Sequence, residues 1–286
     1  MAPLLPPLQP ELLRQMQGWL AEDLGRGDLT SVAVIQREGR ARWVAKQDGV
    51  FCGGGLVEPL FRLLDPRVQV ELCVAEGERV TAGQRLLTLA GNAAALVAGE
   101  RTALNLAMRL SGVATATAAL AAQLEGTGVR LVDTRKTTPG LRVLEKYAVR
   151  CGGGTNHRFG LDDAAMLKEN HLAWAGGIGP AVAAVRAGAP WPARVIVEAE
   201  TEQEAMLALR AGVDGVLLDG FSPQALSELV PRLRRANPAV VLEASGVAPE
   251  ALRAYAASGV DLISTSAPMT RSHWLDISMR FEAIVA

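Results

Sequence analysis

The sequence predicts an α/β protein with two domains, and two observations support this. From Val129 onward, short apolar runs alternate with helical segments, which is typical of a parallel sheet that is either open or closed into a barrel. Before that point, the chain carries one helix, a few strand patterns and a long Ala-rich helical stretch. We place residues 1–111 in the first domain and residues 112–274 in the second. Residues 275–286 are predicted to return to the first domain as a strand or a helix.

Composition argues against several classes of protein. Of the 286 residues, 49% are hydrophobic and the net charge is −1, so the chain can bury a large core. A charge this close to zero argues against a general nucleic-acid or membrane-surface binder. The three cysteines form no CxxC pair and indicate neither a disulfide framework nor a cysteine metal motif. We see no signal-peptide pattern and no apolar run long enough to span a bilayer, so we expect a cytoplasmic protein.

The first domain is predicted to begin with a helix over residues 10–24, where apolar residues recur at helical spacing. A second helix is predicted over residues 56–64. Strand patterns lie at residues 40–51, 68–75 and 84–90. Residues 75–91 resemble the hairpin of lipoyl and biotinyl carrier domains, but the tip, Glu76-Gly77-Glu78, lacks the lysine that those domains modify. We therefore interpret the tip as a structural β-turn.

An Ala-rich helical stretch covers residues 93–124, and Ser111-Gly112 is predicted to break it. Arg101, Asn105 and Arg109 are spaced four residues apart, so they share one face of this helix. The simplest interpretation of that face is an exposed polar stripe beside an apolar one.

The second domain repeats a strand-then-helix pattern. Strands are predicted at residues 129–132, 165–167, 194–199, 213–218, 239–242 and 260–263, and helices at residues 141–149, 201–211, 223–236 and 249–258. Polar residues recur where these strands end, namely Asp133, Lys168, Glu198, Asp219, Glu243 with Ser245, and Ser264. Active sites of α/β barrels lie at the carboxyl ends of their strands. The recurrence therefore predicts a site at this edge of the sheet.

Residues 133–171 are locally basic and hold three compact motifs, DTRKTTPG, GGGTNHRFGL and LKENH. Their cationic candidates are Arg135, Lys136, His157, Arg158 and Lys168. Arginine forks and lysine point charges suit carboxylates and phosphates. The later turns, Ser245-Gly246 and Ser264-Thr265-Ser266, can present backbone N–H groups to a phosphate. Together with the carboxylates of Glu198 and Asp219, this pattern predicts a site for a small polyanion and a phosphorylated sugar.

The three motifs, in this order and spacing, resemble the quinolinate phosphoribosyltransferase family (nicotinate-nucleotide pyrophosphorylase, decarboxylating). EDLGRGDLTS, at residues 22–31, also resembles the family's N-terminal pattern. The resemblance implies an N-terminal α/β sandwich-like domain followed by an incomplete parallel α/β barrel. It also implies transfer of a phosphoribosyl group from 5-phosphoribosyl-1-pyrophosphate to quinolinate with decarboxylation. The products would be nicotinate mononucleotide, pyrophosphate and CO₂, in NAD biosynthesis.

The resemblance also implies roles for individual residues. Quinolinate would be bound by Arg135, His157, Arg158 and Lys168, together with Arg101 of a partner subunit. Lys136, Glu198 and Asp219 would be catalytic, with Lys136 facing the phosphoribosyl donor and the two acids facing ribose and Mg²⁺. The 5-phosphate would be bound by Ser245, Gly246, Ser264 and Ser266. A homodimer, or a higher oligomer built from it, is implied, with no nucleic-acid or membrane partner.

Three alternatives stay open at the level of sequence. One is a related phosphoribosyltransferase of the same fold that acts on another base. A second is a Schiff-base aldolase that uses Lys168 or Lys136 at a strand end. A third is a non-catalytic, carrier-like binding protein. The chain departs from the family pattern at Gly220, Val247 and Ser266, all within the predicted ribose and phosphate loops.

Overall fold

The computed structural model describes residues 9–282 and forms two compact units. Unit 1 is built from three stretches of chain, one ending at Ala118, one spanning Thr138–Gly153 and one starting at Arg271. Unit 2 consists of Ala119–Thr137 and Gly154–Thr270. The division of the chain after residue 111 stays a prediction of the domain boundary.

Helices and strands alternate from β8 to α10 in unit 2 and are mixed in unit 1. The helices are α1 (Pro10–Leu24), α2 (Val57–Arg62), α3 (Ala93–Gln123), α4 (Arg142–Cys151), α5 (Glu169–Trp174), α6 (Ile178–Gly188), α7 (Glu202–Arg210), α8 (Pro223–Ala236), α9 (Leu252–Ala256) and α10 (Ala267–Thr270). The strands are β1 (Glu38–Ala45), β2 (Gly49–Val50), β3 (Gln69–Leu72), β4 (Arg79–Val80), β5 (Arg85–Asn92), β6 (Arg130–Val132), β7 (Ala165–Leu167), β8 (Val195–Ala199), β9 (Gly215–Asp219), β10 (Val241–Ser245), β11 (Leu262–Ser264) and β12 (Ile277–Phe281).

Unit 1 contains a four-stranded antiparallel sheet in the order β12-β1-β5-β3. Strand β1 alternates between buried and more exposed residues, and Ala41, Trp43 and Ala45 face the core. Such alternation is expected where one face of a sheet is covered. The returning segment is a strand, since β12 pairs with β1 from Ala41 opposite Phe281 to Ala45 opposite Ile277.

Unit 2 contains a six-stranded parallel sheet in the order β6-β11-β10-β9-β8-β7. Among the described residues, β6 and β7 do not pair with each other, so the sheet does not close into a complete barrel. Its buried core includes Val195, Val197, Val216, Leu218, Leu242, Ala244 and Ile263, each with 0% of its surface exposed. The predicted mixed α/β fold, with an incomplete parallel barrel, is confirmed.

Helix ends follow local chemistry. Helix α1 starts at Pro10 because proline suits the first turn, where its missing N–H costs nothing. Helix α7 is preceded by a capping box, in which Thr201 and Glu204 each accept a backbone N–H of the other. The prediction missed α5 and α6, because Gly176-Gly177 and Pro180 interrupt the apolar pattern there.

The predicted break of α3 at Ser111-Gly112 is wrong. The helix runs without interruption through both residues. A Cβ on Gly112 would collide with the backbone carbonyl oxygen of His273, so this glycine permits a close backbone approach. The turn at Glu76-Gly77-Glu78 does form, with the Glu78 N–H donating to the Ala75 carbonyl at 3.2 Å.

Each helix within residues 9–282 is either too short or too polar to cross a bilayer.

The two helical glycines Gly112 and Gly18 allow a matched test of this packing. Gly112→Ala should lower the free energy of unfolding by roughly 1–3 kcal/mol, because the added methyl group overpacks the contact with His273. Gly18 in α1 has nothing within 4 Å of the place that a Cβ would take, so Gly18→Ala should raise it by roughly 0.5–1 kcal/mol. Denaturant unfolding measures both. Equal effects of the two substitutions would contradict the assigned role of Gly112.

Candidate active site

A cavity of about 280 Å³ lies at the carboxyl ends of the unit 2 strands. It is lined by Asp133, Thr134, Arg135, Lys136, His157, Arg158, Met166, Lys168, Glu198, Leu217, Glu243, Ser245 and Ser264. All six parallel strands supply lining residues or lead directly into them. The sheet therefore brings together side chains that are far apart in sequence, where the parallel architecture usually places its sites.

Most of the predicted site residues of unit 2 meet at this cavity. The lining includes Arg135, Lys136, His157, Arg158, Lys168, Glu198, Ser245 and Ser264. Asp219 places a carboxylate oxygen within 4.8 Å of one from Glu198, and a Cβ on Gly246 would lie 3.3 Å from Asp219 Oδ1. Ser266 does not line this cavity. Its carbonyl oxygen starts α10 by accepting the N–H groups of Met269 and Thr270, each at 3.0 Å.

Arg101 belongs to unit 1, on the exposed surface of α3. It lines a separate cavity of about 570 Å³ in that unit, together with Asn105 and Arg109. The three side chains share one face, as their spacing predicts. Arg109 is fixed there, because its guanidinium donates to Glu145 at 2.6 and 3.0 Å and to Ser272 at 3.0 Å.

The cationic wall of the unit 2 cavity holds two guanidinium groups close to each other. Burial lowers the pKa of Arg158, and the charge of Arg135 lowers it further, while Asp163 opposes both effects. Arg158 also donates to the Ala164 carbonyl at 2.7 Å, which fixes its orientation. Arginine stays protonated in proteins. The lowered pKa of Arg158 therefore reports the cost of burying its charge first and repulsion by Arg135 second, and an anionic ligand would offset both.

Lys168 and Glu198 join the cationic and acidic parts of the cavity. The Lys168 ammonium group forms an ion pair with Glu198 Oε2. The side chain of Glu198 is 11% exposed and that of Lys168 is 44% exposed, so the carboxylate lies deeper than its partner. Lys168 directly follows β7 and precedes α5, while Glu198 lies on the neighbouring strand β8. Adjacent strand ends therefore produce the pair directly.

Three carboxylates form a compact group at this edge. Glu198, Glu200 and Asp219 each place one oxygen within 4.8 Å of the other two. Sequence reasoning identified Glu198 and Asp219 but missed Glu200. The signal was available, because residues two apart at the end of a strand project to the same side of the sheet. Carboxylate oxygens are the hard donors that Mg²⁺ prefers, so the residues present fit that ion.

The loop that carries His157 and Arg158 is held in place by hydrogen bonds to Asp133. Asp133, with 1% of its surface exposed, accepts the side-chain amide of Asn156 at 2.6 Å and the backbone N–H of His157 at 2.8 Å. A buried carboxylate that accepts two such bonds holds its loop in one conformation. Asp133 therefore positions the cationic residues and does not face solvent.

Both ring nitrogens of His157 take part in hydrogen bonds. The backbone N–H of Arg158 donates to Nδ1 at 2.7 Å, and Nε2 lies 3.1 Å from Glu243 Oε2. A nitrogen that accepts a hydrogen bond carries no proton, so His157 is protonated on Nε2 and donates to Glu243. Glu243 is 3% exposed, and its Oε1 has no hydrogen-bond partner among residues 9–282. Glu243 was predicted only as a strand end, and its link to His157 was missed.

Nitrogen-15 NMR of histidine-labelled protein tests this tautomer, and the chain has only three histidines to assign. We expect His157 to carry a proton on Nε2 and to accept a hydrogen bond at Nδ1. Glu243→Leu removes the acceptor and should shift the Nε2 signal, whereas Glu250→Leu, at an exposed position, should leave it unchanged. A wild-type ring protonated on Nδ1, or on both nitrogens, would contradict the assignment.

Two family models match nearly the whole chain. The N-terminal domain of quinolinate phosphoribosyl transferase matches residues 28–111, and its C-terminal domain matches residues 113–280. A probable nicotinate-nucleotide pyrophosphorylase (carboxylating) of Synechocystis sp. is 48% identical over 267 residues, which is 93% of this chain and 90% of that protein. A second protein of the same name, from Bacillus subtilis, is 41% identical and covers 94% of this chain and 93% of its own length.

A solved structure shares the fold across nearly the full length. The nicotinate-nucleotide pyrophosphorylase of Francisella tularensis superposes with a TM-score of 0.90 and 35% identity. The match covers 96% of this chain and 98% of that protein. The family models, the relatives and this fold agree with the motifs that converge on the unit 2 cavity. The chain belongs to the quinolinate phosphoribosyl transferase family.

Proposed function

We propose that the protein transfers a phosphoribosyl group from 5-phosphoribosyl-1-pyrophosphate to quinolinate and releases CO₂. The products are nicotinate mononucleotide and pyrophosphate, and the reaction belongs to NAD synthesis. Family membership supports this function. The observation that carries it in the structure is the cavity that Arg135, Arg158 and Lys168 line together with the carboxylate of Glu198. One wall suits a dicarboxylate and the other suits a sugar that develops positive charge.

The cationic wall matches the two carboxylates of quinolinate. Arg135 and Arg158 repel each other in the ligand-free protein, and a dianion between them would remove that cost. Lys168 adds a third cation. The ring of His157, which is held by Glu243, forms part of the cavity wall. Because the Nε2 proton of His157 is directed at Glu243, the ring positions the adjacent Arg158 rather than serving as a charged ligand.

The Lys168–Glu198 ion pair would link the binding of quinolinate to the binding of the phosphoribosyl donor. A quinolinate carboxylate at Lys168 would compete with Glu198 for the ammonium group. Glu198 would then be available to the ribose or to a cation. Binding of quinolinate therefore frees Glu198 for the phosphoribosyl donor, because a quinolinate carboxylate replaces the Glu198 carboxylate at Lys168.

Mg²⁺ is proposed as the cofactor, with Glu198, Glu200 and Asp219 as the residues that would hold it or its water shell. When bound, the ion would neutralise the charge of the pyrophosphate group. Lys136, exposed at the cavity rim, is proposed to meet the phosphates of the donor. Ser245, Gly246, Ser264 and Ser266 are proposed around the 5-phosphate, with Ser245 and Ser264 on the cavity wall.

The chemistry needs no protein nucleophile. The ring nitrogen of quinolinate attacks C1 of the ribose while the bond from C1 to the pyrophosphate oxygen breaks. Glu198 and Asp219 stabilise the positive charge that develops on the sugar. The carboxylate next to the now positive nitrogen leaves as CO₂, and its bonding electrons stay on the ring carbon, which then takes up a proton. Holding both substrates in one orientation supplies much of the rate.

The alternatives fit the structure less well. A Schiff-base aldolase needs a neutral lysine amine, but the Lys168 ammonium group is ion-paired with Glu198. A carrier-like protein needs a lysine at the hairpin tip, where the turn holds Glu76-Gly77-Glu78. A related transferase for another base has no obvious use for so many cations around one ligand. A cytoplasmic location is proposed because all three cysteines are free thiols, as expected in a reducing compartment.

Product analysis tests this function. The protein, mixed with quinolinate labelled in its 2-carboxyl group, the donor and Mg²⁺, should release one labelled CO₂ for each nicotinate mononucleotide formed. We expect kcat/KM for nicotinate to be lower than for quinolinate by roughly a hundredfold or more, because one missing carboxylate leaves buried cations unpaired. No product, or similar values for the two acids, would overturn the proposal.

The same assay has a matched control for the acidic group. Glu200→Gln should weaken the dependence of the rate on Mg²⁺ concentration, because it removes one of three clustered carboxylates. Glu202→Gln removes only a half-exposed surface ion pair with Arg232 and should leave the titration unchanged. Identical titrations for both variants and wild type would count against Mg²⁺ at this group.

We further propose a homodimer, or an assembly built from it, in which Arg101 completes the site of a partner subunit. Arg101 lies on the exposed face of α3, whereas the other proposed ligands all lie in unit 2. In a two-fold dimer, each subunit lends the same residue to the other. A surface arginine that serves only solubility would cost little when removed.

Subunit exchange tests the shared arginine. Arg101→Ala and Lys136→Ala should each be inactive alone. A mixed dimer would hold one site with both defects and one with neither, so random exchange should restore about a quarter of wild-type activity. If Arg101 acts within its own subunit, every site keeps one defect. An absence of recovery, with exchange verified by mass spectrometry, would exclude the shared site.

A further inference from the structure

Two cysteines and a glutamate meet in the interior of unit 1. Cys52 follows β2, Glu76 lies in the turn before β4, and Cys151 ends α4. The two sulfur atoms and one carboxylate oxygen lie within 4.8 Å of one another. The cysteines are 0% and 6% exposed. Their separation in sequence hides the cluster from any motif search, and the proposed transfer reaction does not use it.

The carboxylate of Glu76 is held in place by backbone amides. The N–H of Gly53 donates to Oε2 and that of Gly55 donates to Oε1, each at 2.8 Å. The Cys151 thiol contacts Oε2 at 3.9 Å, a weak S–H bond. A carboxylate offers about four acceptor positions, so these bonds leave it able to bind a further partner. The amides fix the orientation of the oxygen atoms.

The turn that carries Glu76 packs directly against the end of α4. Gly77 has a φ of +81°, and a Cβ there would lie 2.9 Å from the backbone carbonyl oxygen of Cys151. Only glycine permits this approach without strain. The glutamate and Cys151 are therefore placed by a close backbone contact and need no rearrangement to come together.

The cluster can exchange two protons for one divalent cation, because each thiol loses its proton when it binds a metal. A divalent cation that displaces one proton from each thiol leaves the net charge of the buried cluster unchanged.

We propose that Cys52, Glu76 and Cys151 bind a thiophilic divalent cation of the zinc class. Two thiolates and one carboxylate are a donor set that zinc accepts, and three protein ligands are the number it keeps where a fourth position is open. This set is softer than Glu198, Glu200 and Asp219 of unit 2, which are all oxygen donors. The two clusters therefore select different cations, and the site in unit 1 is independent of the proposed transfer reaction.

Cadmium is the probe, because charge transfer from thiolate to cadmium gives a near-ultraviolet band that oxygen ligands do not produce. The full-length protein is titrated with Cd²⁺ under reducing conditions, with Mg²⁺ in excess to occupy the carboxylates of unit 2. We expect one Cd²⁺ per chain with the band of two thiolates. Cys52→Ser and Cys151→Ser should each lose the band. Cys73→Ser, at an exposed cysteine outside the cluster, should keep it.

A second measurement needs no variant, so it survives a failure of the serine variants to fold. Alkylation rates at low denaturant concentration, where buried thiols become transiently accessible, should show by mass spectrometry that Cd²⁺ slows the reaction of Cys52 and Cys151 but not of Cys73. Any of three results would overturn the site. These are a wild-type protein without the band, loss of the band in Cys73→Ser alone, or a disulfide between Cys52 and Cys151 in the purified protein.

Discussion

Parallel pairing of the unit 2 strands is the constraint on which the site depends. Parallel strands all end at the same edge, and the register aligns Ser245 of β10 with Asp219 of β9. On the other side of β9, Glu198 of β8 lies opposite Leu217, so β8 ends at the same edge of the sheet. The hydrogen bonds between the strands thus fix the spacing of polar side chains that are far apart in the sequence. A shift of one residue would turn each of these groups to the opposite face.

The architecture was predictable because hydrophobic periodicity reports strands and helices directly. The site was predictable because polar residues recur where the strands end. The errors are equally physical. In the sequence alone, Gly112 suggests a break in the helix. In the structure it lets the backbone at His273 pack close to α3, a contact that the sequence does not reveal. Glu243 was hidden because its partner, His157, is 86 residues away. Glu200 was overlooked, although its spacing of two residues from Glu198 places both side chains on the same side of the sheet.

Charge balance within the cavity explains how so many ionic groups can share a small space. Arg135 and Arg158 repel each other, but Lys168 is ion-paired with Glu198, and Asp133 accepts hydrogen bonds from two amide groups of the loop that carries His157. Much of the charge in the cavity is therefore balanced by groups of the protein itself. Preorganised charge of this kind avoids reorganisation when a polyanion arrives.

The pairing of β12 with β1 has a consequence for how the chain is made. Ala41 pairs with Phe281, so one edge of β1 stays open on the ribosome while the intervening residues are synthesised. At typical rates of translation this takes roughly 10–50 seconds. An uncovered edge strand invites pairing with other chains, and charged side chains are the usual protection. Arg40 and Arg42 on β1 provide such charges, which oppose pairing with other chains until β12 has been synthesised.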